Sequence, residues 1–156
     1  MDNKEIFFNG IRNGDLKLVE RLLDETPELI AVRDQRGSTP LILATYYNHL
    51  HITKHLIEKE ADIDGKDSSG NTPLMGVCFK GYNDIAEILV AAGSNVNHVN
   101  AMGATCLIYA ATFNRLEITK ILLKHGADKT VKDARGNTAL DHAKMQESKE
   151  LIALLE

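Results

Sequence analysis

Apolar side chains in this chain come in short helical bursts separated by polar, glycine-containing stretches. Ile85, Ile88 and Leu89, and again Ile118, Ile121 and Leu122, follow the i, i+3, i+4 spacing of a helix with one buried face. That spacing predicts helices beginning near Leu50, Asp84 and Glu117. Gly93 and Gly126 fall just past the ends of the last two, where a helix C-terminus takes left-handed backbone. A shorter helix precedes each, opened by a pattern such as Leu41-Ile42-x-Ala44 and broken by Asn48 or Gly81. Thr39 and Thr72 stand where N-caps belong. Pro40 and Pro73 then occupy the first helical position, where a missing N–H costs nothing. The remaining Asp-x-x-Gly stretch joins an Asx-turn former to a glycine able to take positive φ, which suits a tight hairpin. The predicted unit is helix, turn, helix, hairpin.

This unit repeats. Gly37-Ser38-Thr39-Pro40-Leu41 returns as Gly70-Asn71-Thr72-Pro73-Leu74, as Gly103-Ala104-Thr105-Cys106-Leu107 and as Gly136-Asn137-Thr138-Ala139-Leu140, each 33 residues after the last. Asp34, Asp67, Asn100 and Asp133 keep the same step, as do Leu56, Leu89, Leu122 and Leu155. Ala61-Asp62, Ser94-Asn95 and Ala127-Asp128 follow in the three full units. A unit this small cannot bury its own apolar face, so neighbours must stack into a continuous core. Small residues midway along each first helix (Ala44, Val77, Ala110 and Ala143) allow the close approach that stacking needs.

The Thr-Pro-Leu column, the 33-residue step and the Gly126-Ala127-Asp128 ending resemble the ankyrin repeat family over nearly the whole chain. The resemblance implies an all-α repeat solenoid of helix-turn-helix units with β-hairpin turns, stacked as a right-angle array in a single domain, 1–156. Residues 34–66, 67–99 and 100–132 are full repeats by this reading, and 133–156 is a C-terminal cap repeat. Residues 1–33 fit a divergent N-terminal cap repeat, with Phe7, Gly10, Leu18 and Leu22 in the places of Leu41, Ala44, Ile52 and Leu56. That alignment needs one extra residue around Asp24–Arg33, where Pro27 sits. Asn9, Arg12, Lys144 and Gln146 put polar residues where internal repeats are apolar, as caps require. No residues are left for a second domain by this expectation.

The sequence also departs from the family pattern. The histidine usual after the Thr-Pro-Leu leucine is replaced by Ile42, Met75, Ile108 and Asp141, which shifts weight from inter-repeat hydrogen bonds to packing. Glu60 stands where Gly93 and Gly126 stand, at a cost of about 1 kcal/mol if the backbone there is left-handed. Cys106 and Ala139 lack the pre-set φ of proline.

Composition narrows the function classes. Apolar residues make up 44% and charged residues 26%, as in a folded protein, and the net charge of −4 offers no positive field for nucleic acid or anionic membrane. No apolar run approaches the ~20 residues that span a bilayer. The polar start, Met-Asp-Asn-Lys-Glu, lacks the order of a secretory signal. Cys78 and Cys106 are read as reduced thiols in a cytoplasmic protein, expected to be a monomer.

Candidate catalytic and metal-binding groups are sparse. His51 and His55, at i and i+4 beside His49, could offer two imidazoles to a metal, and a metal- or ligand-binding regulator using His49, His51 and His55 is the alternative function. Thr53 and Lys54 are not the acidic partners of a metallopeptidase helix, and a third ligand is not suggested. Outer-helix positions account for His51 and His55 without a metal. Cys78 and Cys106 fall at packed positions rather than in a nucleophile's setting. The carboxylates recur once per unit, which marks turn formers. The expectation is no enzyme, no cofactor and no metal.

The resemblance implies a concave binding side made of the hairpin tips and the exposed ends of the first helices. Seven and eight places after each threonine stand Tyr46-Tyr47, Phe79-Lys80, Thr112-Phe113 and Met145-Gln146. Four of the eight aromatics (four Tyr, four Phe) fall there. Exposed aromatics are what protein interfaces use as hot spots. The competing reading folds some rings against the neighbouring repeat, Tyr47 and Phe113 first, because they sit one place nearer the loop. At the tips, Arg33, Arg36, Lys66, Lys132 and Arg135 flank an apolar Val99-Ala101-Met102 patch, suiting a partner with an apolar centre and acidic flanks. Interleaved Asp34, Asp64, Asp67 and Asp133 equally suit a plain solvated edge. The expected function is therefore a non-enzymatic adaptor or inhibitor that holds a protein partner. Its contacts are expected at Arg36, Tyr46, Tyr47, Phe79, Lys80, Met102, Thr112, Phe113 and Arg135.

Overall fold

A computed structural model describes residues 2–156. Among these are ten α-helices in five antiparallel pairs: α1 (Asn3–Asn13) with α2 (Leu16–Glu25), α3 (Pro40–Tyr46) with α4 (Leu50–Glu58), α5 (Pro73–Lys80) with α6 (Asn83–Ala91), α7 (Cys106–Thr112) with α8 (Leu116–Lys124), and α9 (Ala139–Met145) with α10 (Lys149–Leu155). The first member of each pair forms an inner row and the second an outer row. The second helices begin within one residue of the expected places. The extra residue around Pro27 is taken up by a 3₁₀ turn, Pro27–Ala31.

The capping reading holds in atomic detail. Thr39, Thr72, Thr105 and Thr138 each accept, through Oγ1, the N–H three residues on (Ile42, Met75, Ile108 and Asp141). At the last of them Asp141 returns the bond by accepting the Thr138 N–H, which closes a capping box. Cys106 and Ala139 start their helices without proline's pre-set φ. Gly93 and Gly126 are left-handed, and so is Glu60 at φ +64°.

Packing follows the repeat columns. Ala44, Val77, Ala110 and Ala143 are wholly buried between neighbouring inner helices, and Leu56, Leu89 and Leu122 are wholly buried beneath the outer row. Leu18, expected at the place of fully buried Ile52, is only half-buried, and Val19 beside it takes the buried position. The hairpins are tight turns rather than strands among the described residues. Each is closed by two main-chain bonds: Asp34, Asp67, Asn100 and Asp133 donate their N–H to the carbonyl four residues on, and their own carbonyls accept the N–H of Gly37, Gly70, Gly103 and Gly136. The opening Asp or Asn accepts two more N–H groups within its turn, Arg36 and Ser38 for Asp34, Ser69 and Asn71 for Asp67. Main-chain bonds also run sideways between tips: Ser68 to Arg36, Ala101 to Ser69 and Ala134 to Met102. The tips therefore form one row along the edge of the inner helices.

Candidate partner-binding face

The concave side lies between the tip row and the far ends of the inner helices. Over the N-terminal half it is a hollow of ≈ 1080 Å³. Phe8, Ile42 and Leu43 lie on its floor, Tyr46 and Tyr47 at one edge and Arg36, Ser68 and Ser69 at the other. Toward the C-terminus the same space is filled by rings. Tyr109 donates no charge there but spans the face: its hydroxyl accepts from Asn100 Nδ2 at 2.9 Å at the tip, and its ring stacks on Phe113 with centroids 6.2 Å apart. Phe113 meets Phe79 edge to face at 4.7 Å.

The inner-helix ends that carry these rings are held from the next unit. A helix C-terminus leaves carbonyls without intrahelical partners. His49 Nε2 donates to the Arg12 carbonyl at 2.9 Å, Arg115 Nη2 to the Phe79 carbonyl at 2.7 Å and Gln146 Nε2 to the Thr112 carbonyl at 2.7 Å. Gly81 leaves room for the Arg115 side chain, since a Cβ there would lie 2.9 Å from Nε, and its φ of +83° suits glycine as well.

The residues expected at the interface divide in two. Tyr47, Phe79, Phe113 and Met145 are 45%, 39%, 36% and 61% exposed, one from each of four successive units. Met102 at the tip is 64% exposed, and Arg36 and Arg135 are exposed beside their turns. Tyr46, Lys80 and Thr112 are half-buried. The expectation that Tyr47 and Phe113 would be first to fold back is corrected for Tyr47, which stays exposed while Tyr46 leans on the next unit; Phe113 does pack against Phe79 of the preceding unit. Gly76 in the next unit has no side chain, a Cβ there would meet Tyr46 Cδ1 at 3.4 Å, and the ring occupies that space. Lys80 Nζ lies 5.0 Å from the Tyr46 ring centroid and 5.9 Å from that of Tyr82. Thr112 turns its hydroxyl back to the Ile108 carbonyl.

His49, His51 and His55 do not gather into one group. His49 is committed to the Arg12 carbonyl, His51 is exposed on α4 and His55 is half-buried with Nε2 enclosed. No group of three or more His, Cys, Asp or Glu side chains able to hold a metal occurs among the described residues. Nor is any helix among them long and apolar enough to cross a membrane. Cys78 and Cys106 are both fully buried, and their meeting was not legible in the repeat pattern. Burial pushes the Cys78 thiol well above its usual range, reinforced by a hydrogen bond with Cys106. That is the opposite of an activated nucleophile. The Asp133 carboxyl is held below the ordinary range, first by the Asn137 N–H it accepts and then by His142, whose Nε2 lies 2.7 Å from Oδ2.

A family model described as ankyrin repeats (three copies) matches residues 7–100 and 74–156. The chain is 37% identical over 57 residues to mouse ankyrin repeat and SAM domain-containing protein 6, covering 36% of this chain and 6% of that protein. It is 40% identical over 63 residues to protein fem-1 homolog C of Danio rerio, covering 37% of this chain and 10% of that one. To human fem-1 homolog C it is 38% identical over 64 residues, 38% of this chain and 10% of the relative. The matches thus span a tenth or less of the length of these curated relatives.

Proposed function

The chain belongs to the ankyrin repeat family, and on that premise we propose that it is an adaptor or inhibitor that holds one protein partner on its concave face. Ankyrin repeats are in general protein–protein interaction modules, and the family is in general non-enzymatic. The observation that carries the reading is the line of exposed apolar side chains, Tyr47, Phe79, Phe113 and Met145, which is uncommon on a surface facing only water. Phe79 and Phe113 are the anchors, because each is partly exposed yet braced by the other and by bonds from the next unit. Aromatics braced in this way lose little entropy when a partner covers them. Arg36, Met102 and Arg135 extend the contact to the tips, and Lys80 flanks the anchors. The reading takes the ten helices as units at 1–33, 34–66, 67–99, 100–132 and 133–156, the outer two acting as caps.

Affinity capture from the native cell with the Phe79→Ala/Phe113→Ala double variant tests this. Capture of the natural partner should fall by about ten-fold or more, as hot-spot loss predicts, while the melting temperature moves by only a few degrees. Unchanged capture, or unfolding of the variant, would show that the rings serve the core instead.

A further inference from the structure

The chain's two cysteines meet inside the fold, and we propose that they form a redox lock between the neighbouring inner helices α5 and α7, closed by a low-molecular-weight disulfide such as glutathione disulfide. Cys78 lies in α5 and Cys106 is the first residue of α7. Both are fully buried, and a thiol–thiol hydrogen bond joins them across the interface. Their meeting owes nothing to the repeat. Cys78 stands in the column of Thr45 and Ala111, and Cys106 in that of Pro40, Pro73 and Ala139. A buried residue touches about 6–12 others, so a given pair of buried positions in a chain of this length meets about one time in twenty. Packing alone would be served by alanine, which both columns carry elsewhere, at Ala111 and Ala139. Hydrogen-bonded thiols need only lose their hydrogens and draw together to bond. Small Val77 and Ala110, wholly buried between the inner helices, allow that approach.

In the closed state the pair is inert. Burial and the shared hydrogen bond keep the Cys78 thiol protonated, and only a thiolate attacks a disulfide. The lock is therefore set through local opening of the α5–α7 interface, which exposes both sulfurs. One thiolate then attacks a sulfur of the small disulfide. The oxidant's S–S bond breaks, one glutathione leaves, and a mixed disulfide with the protein forms. As the helices come back together, the second cysteine attacks the protein sulfur of that bond and expels the second glutathione. The protein gives up two electrons and two protons, and one glutathione disulfide becomes two glutathiones. The new bond ties the helix that carries Phe79 to the helix that ends beside Phe113, and the interface cannot reopen until a thiol reductant returns the two electrons. This lock is independent of what the concave face holds.

The test incubates the purified full chain with glutathione disulfide at low micromolar protein concentration and reads intact mass. The product should be a monomer lighter by two hydrogens and free of glutathione. Non-reducing proteolysis should join the Cys78 peptide to the Cys106 peptide. Closing a loop of about 28 residues should raise the melting temperature by several degrees, up to about 10 °C, and dithiothreitol should abolish the rise. Cys78→Ala and Cys106→Ala, each checked for folding by circular dichroism, should take up one glutathione or none and show no such rise. A glutathione that stays on the wild type, a cross-link between chains, or no loss of the two hydrogens after prolonged incubation overturns the proposal. An equal rise in either alanine variant overturns it too, since no bond between the two sulfurs can form there. A cross-linked chain that melts lower than the reduced one shows a bond that strains the interface instead of fastening it, and the lock falls.

Discussion

The two halves of the concave face share one scaffold and differ in what stands on it. Around Tyr46 the face is open: Leu43 and Gly76 give the central column little bulk, and Tyr46 settles over Gly76 under the Lys80 ammonium. Around Tyr109 the same column is tall. Its ring links the tip at Asn100 to Phe113, and Phe113 links on to Phe79. Asn100 makes this possible because it is the one turn opener with an amide: Oδ1 accepts the Met102 and Ala104 N–H groups as the aspartates do, while Nδ2 donates to Asn71 Oδ1 and to the Tyr109 hydroxyl. An aspartate has nothing to donate. Below the surface the halves are alike. Relief on this face is set by single side chains in one column, Leu43 and Gly76 in one half and Tyr109 in the other.

The largest test of that separation is in the core. Leu56→Ala in the N-terminal half and Leu122→Ala in the C-terminal half should each cost about 2–5 kcal/mol in urea unfolding, since both leucines are fully buried at equivalent places. A loss confined to one of them would mean that the halves differ beneath the surface as well. Next, Tyr109→Phe removes a bonded hydroxyl and should cost about 0.5–1.5 kcal/mol by the same measurement. Tyr46→Phe, whose hydroxyl makes no hydrogen bond to a described residue, should cost nearly nothing; equal losses would erase the contrast between the two columns. Glu60→Gly should raise stability by up to about 1 kcal/mol, bringing the N-terminal half into line with Gly93 and Gly126, and a loss on this change would show that the left-handed turn is not strained. The smallest effect concerns Asp133. Its folded-state pKa is lowered, so its contribution is fully present above the ordinary carboxylate value of about 3.9 and fades as pH falls through the folded-state value. The stability gap between the wild type and Asp133→Asn should therefore close below about pH 4, and a gap that stays constant with pH would exclude this role.

The scaffold was legible because each of its requirements falls on one residue at a fixed place. A threonine N-cap, a first-position proline and a left-handed glycine declare themselves wherever they recur. Glu60 declared its strain in the same way. The candidate face was legible only by column. Its columns brought out the rings that are exposed at Tyr47, Phe79 and Phe113, yet the order of Tyr46 and Tyr47 was reversed, because the space that receives Tyr46 is made by Gly76, thirty residues on in the next unit. Tyr109 was missed for a related reason: it lies midway along its helix, in a column occupied elsewhere by Leu43, Gly76 and His142, where no pattern flags an aromatic. Cys78 and Cys106 occupy different columns, so a reading confined to matching positions could not bring them together. Contacts between unlike positions of neighbouring units depend on rotamers and gaps, which periodicity does not encode.

The sideways bonds of the tip row have a consequence for how this face can change over generations. Each runs from a main-chain N–H to a main-chain carbonyl, at Ser68 and Arg36, Ala101 and Ser69, Ala134 and Met102. Substitution alters side chains and leaves those groups in place, proline apart. The tip pairs already read Gln35-Arg36, Ser68-Ser69, Ala101-Met102 and Ala134-Arg135, four different chemistries on one unbroken row. Mutational drift in the side chains of these tip pairs therefore leaves the bonds that join the row in place.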